Sequence, residues 1–157
     1  MTKNNILVIF SILFISFSSI AQETTSGIEG MRKNAISFNI LGTTPFVGIT
    51  YDRLVSENLS VEIGVGIPSV GAGFKYYPWG IKESKMLFHV GLTGTIISAK
   101  ALDIWGSSED NAGIFVAYLP IGVSFFGEKG FNLGVDLGPA VAAKFAPWGN
   151  VKVGYRF

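Results

Sequence analysis

From Asn34 onward the chain alternates. In "LSVEIGVGI" (59–67), Leu59, Val61, Ile63, Val65 and Ile67 fall on one phase, and Ser60, Glu62, Gly64 and Gly66 on the other. Successive side chains point to opposite sides of a β-strand, so a period of two predicts a strand with one apolar face; a helix would mix the two sets. The stretch "SVGAGFKYY" sets Val70, Ala72, Phe74 and Tyr76 against Gly71, Gly73, Lys75 and Tyr77. Residues 131–138 set Phe131, Leu133, Val135 and Leu137 against Asn132, Gly134, Asp136 and Gly138. In "NVKVGYRF", Val151, Val153, Tyr155 and Phe157 alternate with Asn150, Lys152, Gly154 and Arg156. Less regular segments at 34–42, 46–54, 86–97 and 114–126 phase the same way, and clusters of Gly, Pro, Asn and Ser separate them all, which predicts eight strands. Pro120 falls inside the sixth segment, where its missing N–H predicts a bulge or bend.

A soluble sandwich, a lipocalin and a membrane barrel all alternate; the second face separates them. On a soluble sheet that face meets water and is dense in Lys, Glu, Thr and Gln. Here ten of the 20 glycines lie on it: Gly48, Gly64, Gly66, Gly71, Gly73, Gly91, Gly122, Gly134, Gly138 and Gly154. Glycine is a poor residue for a solvated strand but suits the inside of a narrow barrel, where a few large side chains share little space. The charges of that phase are three acids, Asp52, Glu62 and Asp136, and three bases, Lys75, Lys152 and Arg156. Charges in a tight lumen need partners, and a balanced set predicts a polar network that plugs the interior. The apolar phase carries no charge except Arg53, at a strand end within reach of lipid headgroups. The expected architecture is all-β: an eight-stranded antiparallel up-and-down transmembrane β-barrel over residues 34–157, with a soluble secreted β-sandwich or lipocalin-like binder as the structural alternative. Aromatic residues near segment ends, among them Tyr76, Trp79, Phe131 and Tyr155, suit interfacial girdles.

Composition adds an address. Apolar residues make up 48% of the chain and charged ones 15%, unusually apolar for a soluble domain. After residue 21, however, no run approaches the ~18 to 20 apolar residues of a transmembrane helix. The first 21 residues differ: Lys3, the apolar run "ILVIFSILFISFSSI", and small residues Ser19 and Ala21 predict a signal peptide cleaved before Gln22, an uncleaved anchor helix being the alternative. Gln22 in place of Cys argues against a lipoprotein. Residues 22–33, "QETTSGIEGMRK", read as a flexible polar leader. The absence of Cys excludes disulfides and thiol chemistry. Loss of Lys3 with the signal leaves 11 bases against 11 acids, which offers no electrostatic case for nucleic acid.

With these features together, the chain resembles the small eight-stranded bacterial outer-membrane β-barrels of the OmpX and OmpA-transmembrane-domain type, and the short outer-membrane barrels of Bacteroidetes-type bacteria. The resemblance implies a Gram-negative outer membrane, contact with lipid and lipopolysaccharide, and a monomer. It also implies that the last strand, with Val151, Val153, Tyr155 and Phe157, is the signal read by the barrel-assembly machinery. An even strand number implies periplasmic turns at 55–58, 78–85 and 127–130. The outer loops would be 43–45, a turn at Pro68, 98–113 and 139–148, the last two being the expected surface contacts.

Chemistry has few seats. His89 is the sole histidine; a lipid A-modifying enzyme would need it beside a Ser and an acid, and "HVG" supplies no Ser two residues on, so a luminal hydrogen-bonding role is expected and no catalytic residue is assigned. "GVGIPSVGAG" (64–73) is glycine-rich like a phosphate loop, but its glycines are spaced by two and no Lys-Ser/Thr follows, as strand faces require. In the 98–113 loop, Asp103, Glu109 and Asp110 fit no compact calcium loop, and no metal or cofactor is expected. Leu102, Ile104 and Trp105 there are candidate contacts to the membrane interface or a partner. The expectation is a non-enzymatic structural or surface-interaction barrel with Asp52, Glu62, Lys75, His89, Asp136, Lys152 and Arg156 as its luminal network; a lipid-modifying enzyme and a small pore are the alternatives.

Overall fold

The computed structural model describes residues 28, 30–67, 69–98, 113–142 and 144–157. The signal peptide expected over 1–21, most of the leader, Pro68, and the loop residues Leu102, Asp103, Ile104, Trp105, Glu109 and Asp110 lie outside them. The strands are β1 (Asn34–Leu41), β2 (Val47–Ser56), β3 (Leu59–Ile67), β4 (Ser69–Tyr76), β5 (Met86–Ile97), β6 (Ile114–Tyr118), β7 (Ile121–Phe126), β8 (Phe131–Val141) and β9 (Phe145–Arg156), with no helix among the described residues. Every pairing is antiparallel, and β1 meets β9, with Phe38 opposite Val153, so the sheet closes. β6 and β7 are halves of one wall strand, because both pair with β5 on one side and β8 on the other. The protein is therefore a closed eight-stranded antiparallel barrel, as the alternation predicts.

Pro120 interrupts the ladder without shifting it. Tyr118 pairs with Thr93 and Ala140, and Ile121 pairs with Val90 and Leu137, so each strand advances three residues and none is inserted. The Pro120 carbonyl still accepts the Gly91 N–H at 2.8 Å, and the Leu119 N–H reaches the Pro139 carbonyl at 3.0 Å. Glycines flank the site for a steric reason: a Cβ at Gly91 would lie 3.0 Å from the proline ring, and one at Gly138 would run into the Leu119 carbonyl. The register shift that does occur lies between Leu54 and Ser56.

One expected loop is strand instead. Residues 139–148 are no ten-residue outer loop: Pro139 faces Pro147, Ala140 faces Ala146 and Val141 faces Phe145, leaving a tight turn in which the Ala142 N–H donates to the Lys144 carbonyl at 3.2 Å. Two prolines read as breakers, yet counting rungs from that bonded pair puts Pro139 and Pro147 opposite each other at a non-hydrogen-bonded position, where β8 and β9 ask for no N–H. The donor that Pro147 lacks would point toward β1, which has already ended at the Leu41–Asn150 pair. A proline there blunts a free edge.

Residues 28 and 30–33 and the connections 57–58, 77–85 and 127–130 form the near end of the barrel; 42–46, Ala142 and Lys144 lie at the far end. Around the wall the apolar phase faces out, with Ile63, Val65 and Ile67 all more than half exposed. The other phase is buried inside. Gly138 and Gly134 test the packing of that interior. Gly138→Ala should cost about 1–3 kcal/mol through overpacking, whereas Gly134→Ala, whose Cβ would meet nothing closer than 3.7 Å, should be neutral or gain roughly 0.5 kcal/mol. Urea unfolding of the two variants checks the contrast.

Candidate functional site

Alternation carries every expected luminal residue inward, and closure brings them together in two tiers. In the first, Lys152 on β9 reaches across to Asp52 on β2 at 3.0 Å and Glu62 on β3 at 3.1 Å. Arg156, two inward positions along β9, takes the other Asp52 oxygen and donates to the Lys33 carbonyl at 3.1 Å. Its guanidinium lies 4.4 Å from the centre of the Phe126 ring. Each carboxylate is thus matched, as a buried charge must be to survive loss of water.

The second tier is centred on Asp136 of β8. One oxygen accepts from Lys75 of β4 at 2.8 Å and from Asn150 Nδ2 at 2.6 Å; the other meets His89 Nε2. The far side of the imidazole, Nδ1, lies 3.2 Å from Ser124 Oγ on β7. Tyr77 OH sits 3.5 Å from the same hydroxyl, and burial pushes its phenol pKa up, so it stays neutral. The sequence had left His89 without a serine; Ser124 supplies one 35 residues away. The row Ser124–His89–Asp136 has the connectivity of a hydroxyl, a base and an acid, yet all three side chains are at most 2% exposed and the carboxylate is further held by Lys75 and Asn150.

Both ends of the lumen are filled by residues outside the expected network. At the far end the short 42–46 connection turns inward: Leu41 (φ 65°) and Gly42 (φ 79°) both adopt left-handed backbone, and Thr43, Thr44 and Pro45 are buried. Thr43 Oγ1 donates to Glu62, Thr95 Oγ1 donates to the Thr43 carbonyl at 2.9 Å, and Asn39 Nδ2 donates to Thr44 Oγ1 at 2.7 Å. The glycine face makes room for this strap, since a Cβ at Gly48 or Gly66 would strike Thr44 and one at Gly71 would strike Thr43. At the near end Ile28, Leu54, Tyr77, Ile81, Leu87 and Phe126 form an apolar seal with Met31 against it. Part of the segment read as a flexible leader is accordingly held: Arg32 Nη1 donates to Tyr155 OH at 2.7 Å, and Lys33 accepts the Leu54 N–H at 2.8 Å.

Neutral polar residues complete the interior. Ser37, Asn39, Thr50, Thr93, Thr95, Asn132 and Asn150 are buried in phase with the charges. Their alternation with Ile36, Phe38 and Ile40 on β1, and with the equivalent outward positions elsewhere, was the available signal. Val151, Val153, Tyr155 and Phe157 are exposed on the outward side of the closing strand. Among the described residues no group of three His, Asp or Glu side chains is placed to hold a metal ion.

Compared with protein-family models, curated proteins and solved structures, the chain matches none, so the reading of this site rests on its own geometry. That geometry is a stack of matched charges between two stoppers. Replacing Lys152 with Met leaves Glu62 without a cation and Asp52 with Arg156 alone, and should destabilise the barrel by about 3–5 kcal/mol. Adding Glu62→Gln to Lys152→Met should recover much of that loss, because Asp52 keeps Arg156 as its partner. Denaturant titrations of the single and double variants check both.

Proposed function

We propose that the protein is an integral outer-membrane β-barrel, exported through a cleaved signal peptide, with a structural or surface-interaction role and a plugged lumen. One observation carries the reading: the barrel is inverted relative to a soluble protein. Its outward surface presents Ile36, Phe38, Ile63, Val65, Leu92, Val135 and Val151, while Lys75, Asp136, Lys152 and Arg156 are sealed inside. Water penalises such an apolar surface and lipid rewards it, and a closed sheet leaves no unpaired edge in the hydrocarbon. The polar interior argues against a lipocalin-like binder, whose inward face would be the apolar one.

On this reading the near end faces the periplasm and the far end faces outward, where the 98–113 segment and the β8–β9 hairpin meet lipopolysaccharide or a partner. The hairpin offers Phe145, Ala146 and Pro147, all exposed, beside Lys144. The barrel is monomeric and non-enzymatic, and the outward face of β9 is the element presented to the barrel-assembly machinery. The ion-pair tiers and the strap favour a closed interior over a pore.

Cell fractionation tests the assignment. The protein should stay with carbonate-washed membranes and run faster on gels before boiling than after; recovery in the soluble fraction would sink it. In planar bilayers it should show no steady conductance. Expression of wild type or His89→Ala should leave the lipid A profile identical, and a change seen only with wild type would establish an enzyme.

A further inference from the structure

The near-end connection between β4 and β5 is longer than its neighbours and is held in place. Tyr77 and Ile81 plunge into the apolar seal. Its backbone is tied by Tyr77 N–H to the Asn58 carbonyl at 2.8 Å, Ile81 N–H to Glu57 at 2.6 Å and Ser84 N–H to Phe126 at 2.7 Å. Asn58 Nδ2 donates back to the Tyr77 carbonyl at 2.6 Å. Gly80 (φ 74°) and Ser84 (φ 58°) take left-handed backbone where the chain reverses. Anchoring the inward residues turns Trp79, Lys82 and Lys85 outward; Trp79 is 72% exposed, and Met86, which opens β5, is 65% exposed.

Between this turn and β5 lies a cleft of about 160 Å³ lined by Trp79, Gly80, Lys82, Lys85, Met86 and Phe88. The Trp79 and Phe88 rings stand 5.5 Å apart at a tilt and form one wall. We infer that this cleft binds the phosphate of a glycerophospholipid in the leaflet at the near end. The inference rests on the reading that the outward wall faces lipid. Charge supports it: Lys82 and Lys85 supply cations for a phosphate, and basic clefts beside membrane spans hold lipid headgroups in this way. So does order along the chain: the apolar wall begins at Met86 and the two lysines sit just beyond it, as a phosphate sits just beyond its acyl chains. Trp79 occupies the boundary, where an indole has an apolar body and a polar edge. The cleft is well below the ~300 Å³ of a pocket that encloses a drug-sized ligand, so it takes a headgroup and not a whole molecule.

Native mass spectrometry of the full chain in detergent micelles, titrated with phosphatidylglycerol, tests this. Wild type should bind phosphatidylglycerol, and Lys82→Gln combined with Lys85→Gln should bind it about thirtyfold more weakly, from roughly fivefold per lysine. Arginine at both positions should restore binding, and all three proteins should keep the heat-dependent gel shift of a folded barrel. Equal binding by the glutamine variant would overturn the inference while leaving the membrane barrel intact. Displacement of the lipid by inorganic phosphate at equal concentration would overturn it too, by making the cleft a plain phosphate site. A wild-type protein that fails to enter phosphatidylglycerol-containing vesicles would remove the membrane reading and the inference together.

Discussion

Everything in this barrel follows from the need to neutralise charge in a closed interior. Eight strands leave a lumen narrow enough to be filled by side chains alone. Six charged residues and one histidine are packed there nearly out of reach of water. An isolated buried ion is far more costly than its partnered form, so each carboxylate must find a cation across the lumen. Lys152 joins β9 to β2 and β3, and Lys75 joins β4 to β8. These links tie staves that share no ladder, which makes the plug a cross-brace as well as a filling.

Space is the second half of the same constraint. Three long basic side chains, an imidazole and an inward-turned loop cannot fit unless other inward positions give up their side chains. Gly48, Gly66 and Gly71 make way for the 42–46 strap, and Gly91 and Gly138 make way for Pro120 and its neighbouring backbone. The glycine face and the charged face are thus one design. Gly134 is the exception, since nothing crowds it.

The interior contains a serine, a histidine and an aspartate in hydrogen-bonding order. The row is buried: Tyr77 OH lies 3.5 Å from Ser124 Oγ, and Tyr77 belongs to the apolar seal with Ile28 and Phe126. In its setting the row satisfies buried polar groups across β5, β7 and β8.

The phase of each strand was legible in the sequence because a strand's period is two whatever surrounds it. Once Ile63 points out, Glu62 must point in, and the same rule assigns Asp52, Lys75, His89, Asp136, Lys152 and Arg156. Local pattern misjudged 139–148, because whether a proline breaks a strand depends on whether its N–H is wanted at that rung, and only the facing strand decides that. Partners were equally out of reach. Ser124 meets His89 across 35 residues and Lys75 meets Asp136 across 61, distances bridged by closure of the sheet and by no local signal. So the sequence by itself determined which side chains share the interior, through the alternation of the backbone. The tertiary structure alone decided which of them touch, because the meeting of charges across a lumen depends on the register and curvature of all eight strands at once.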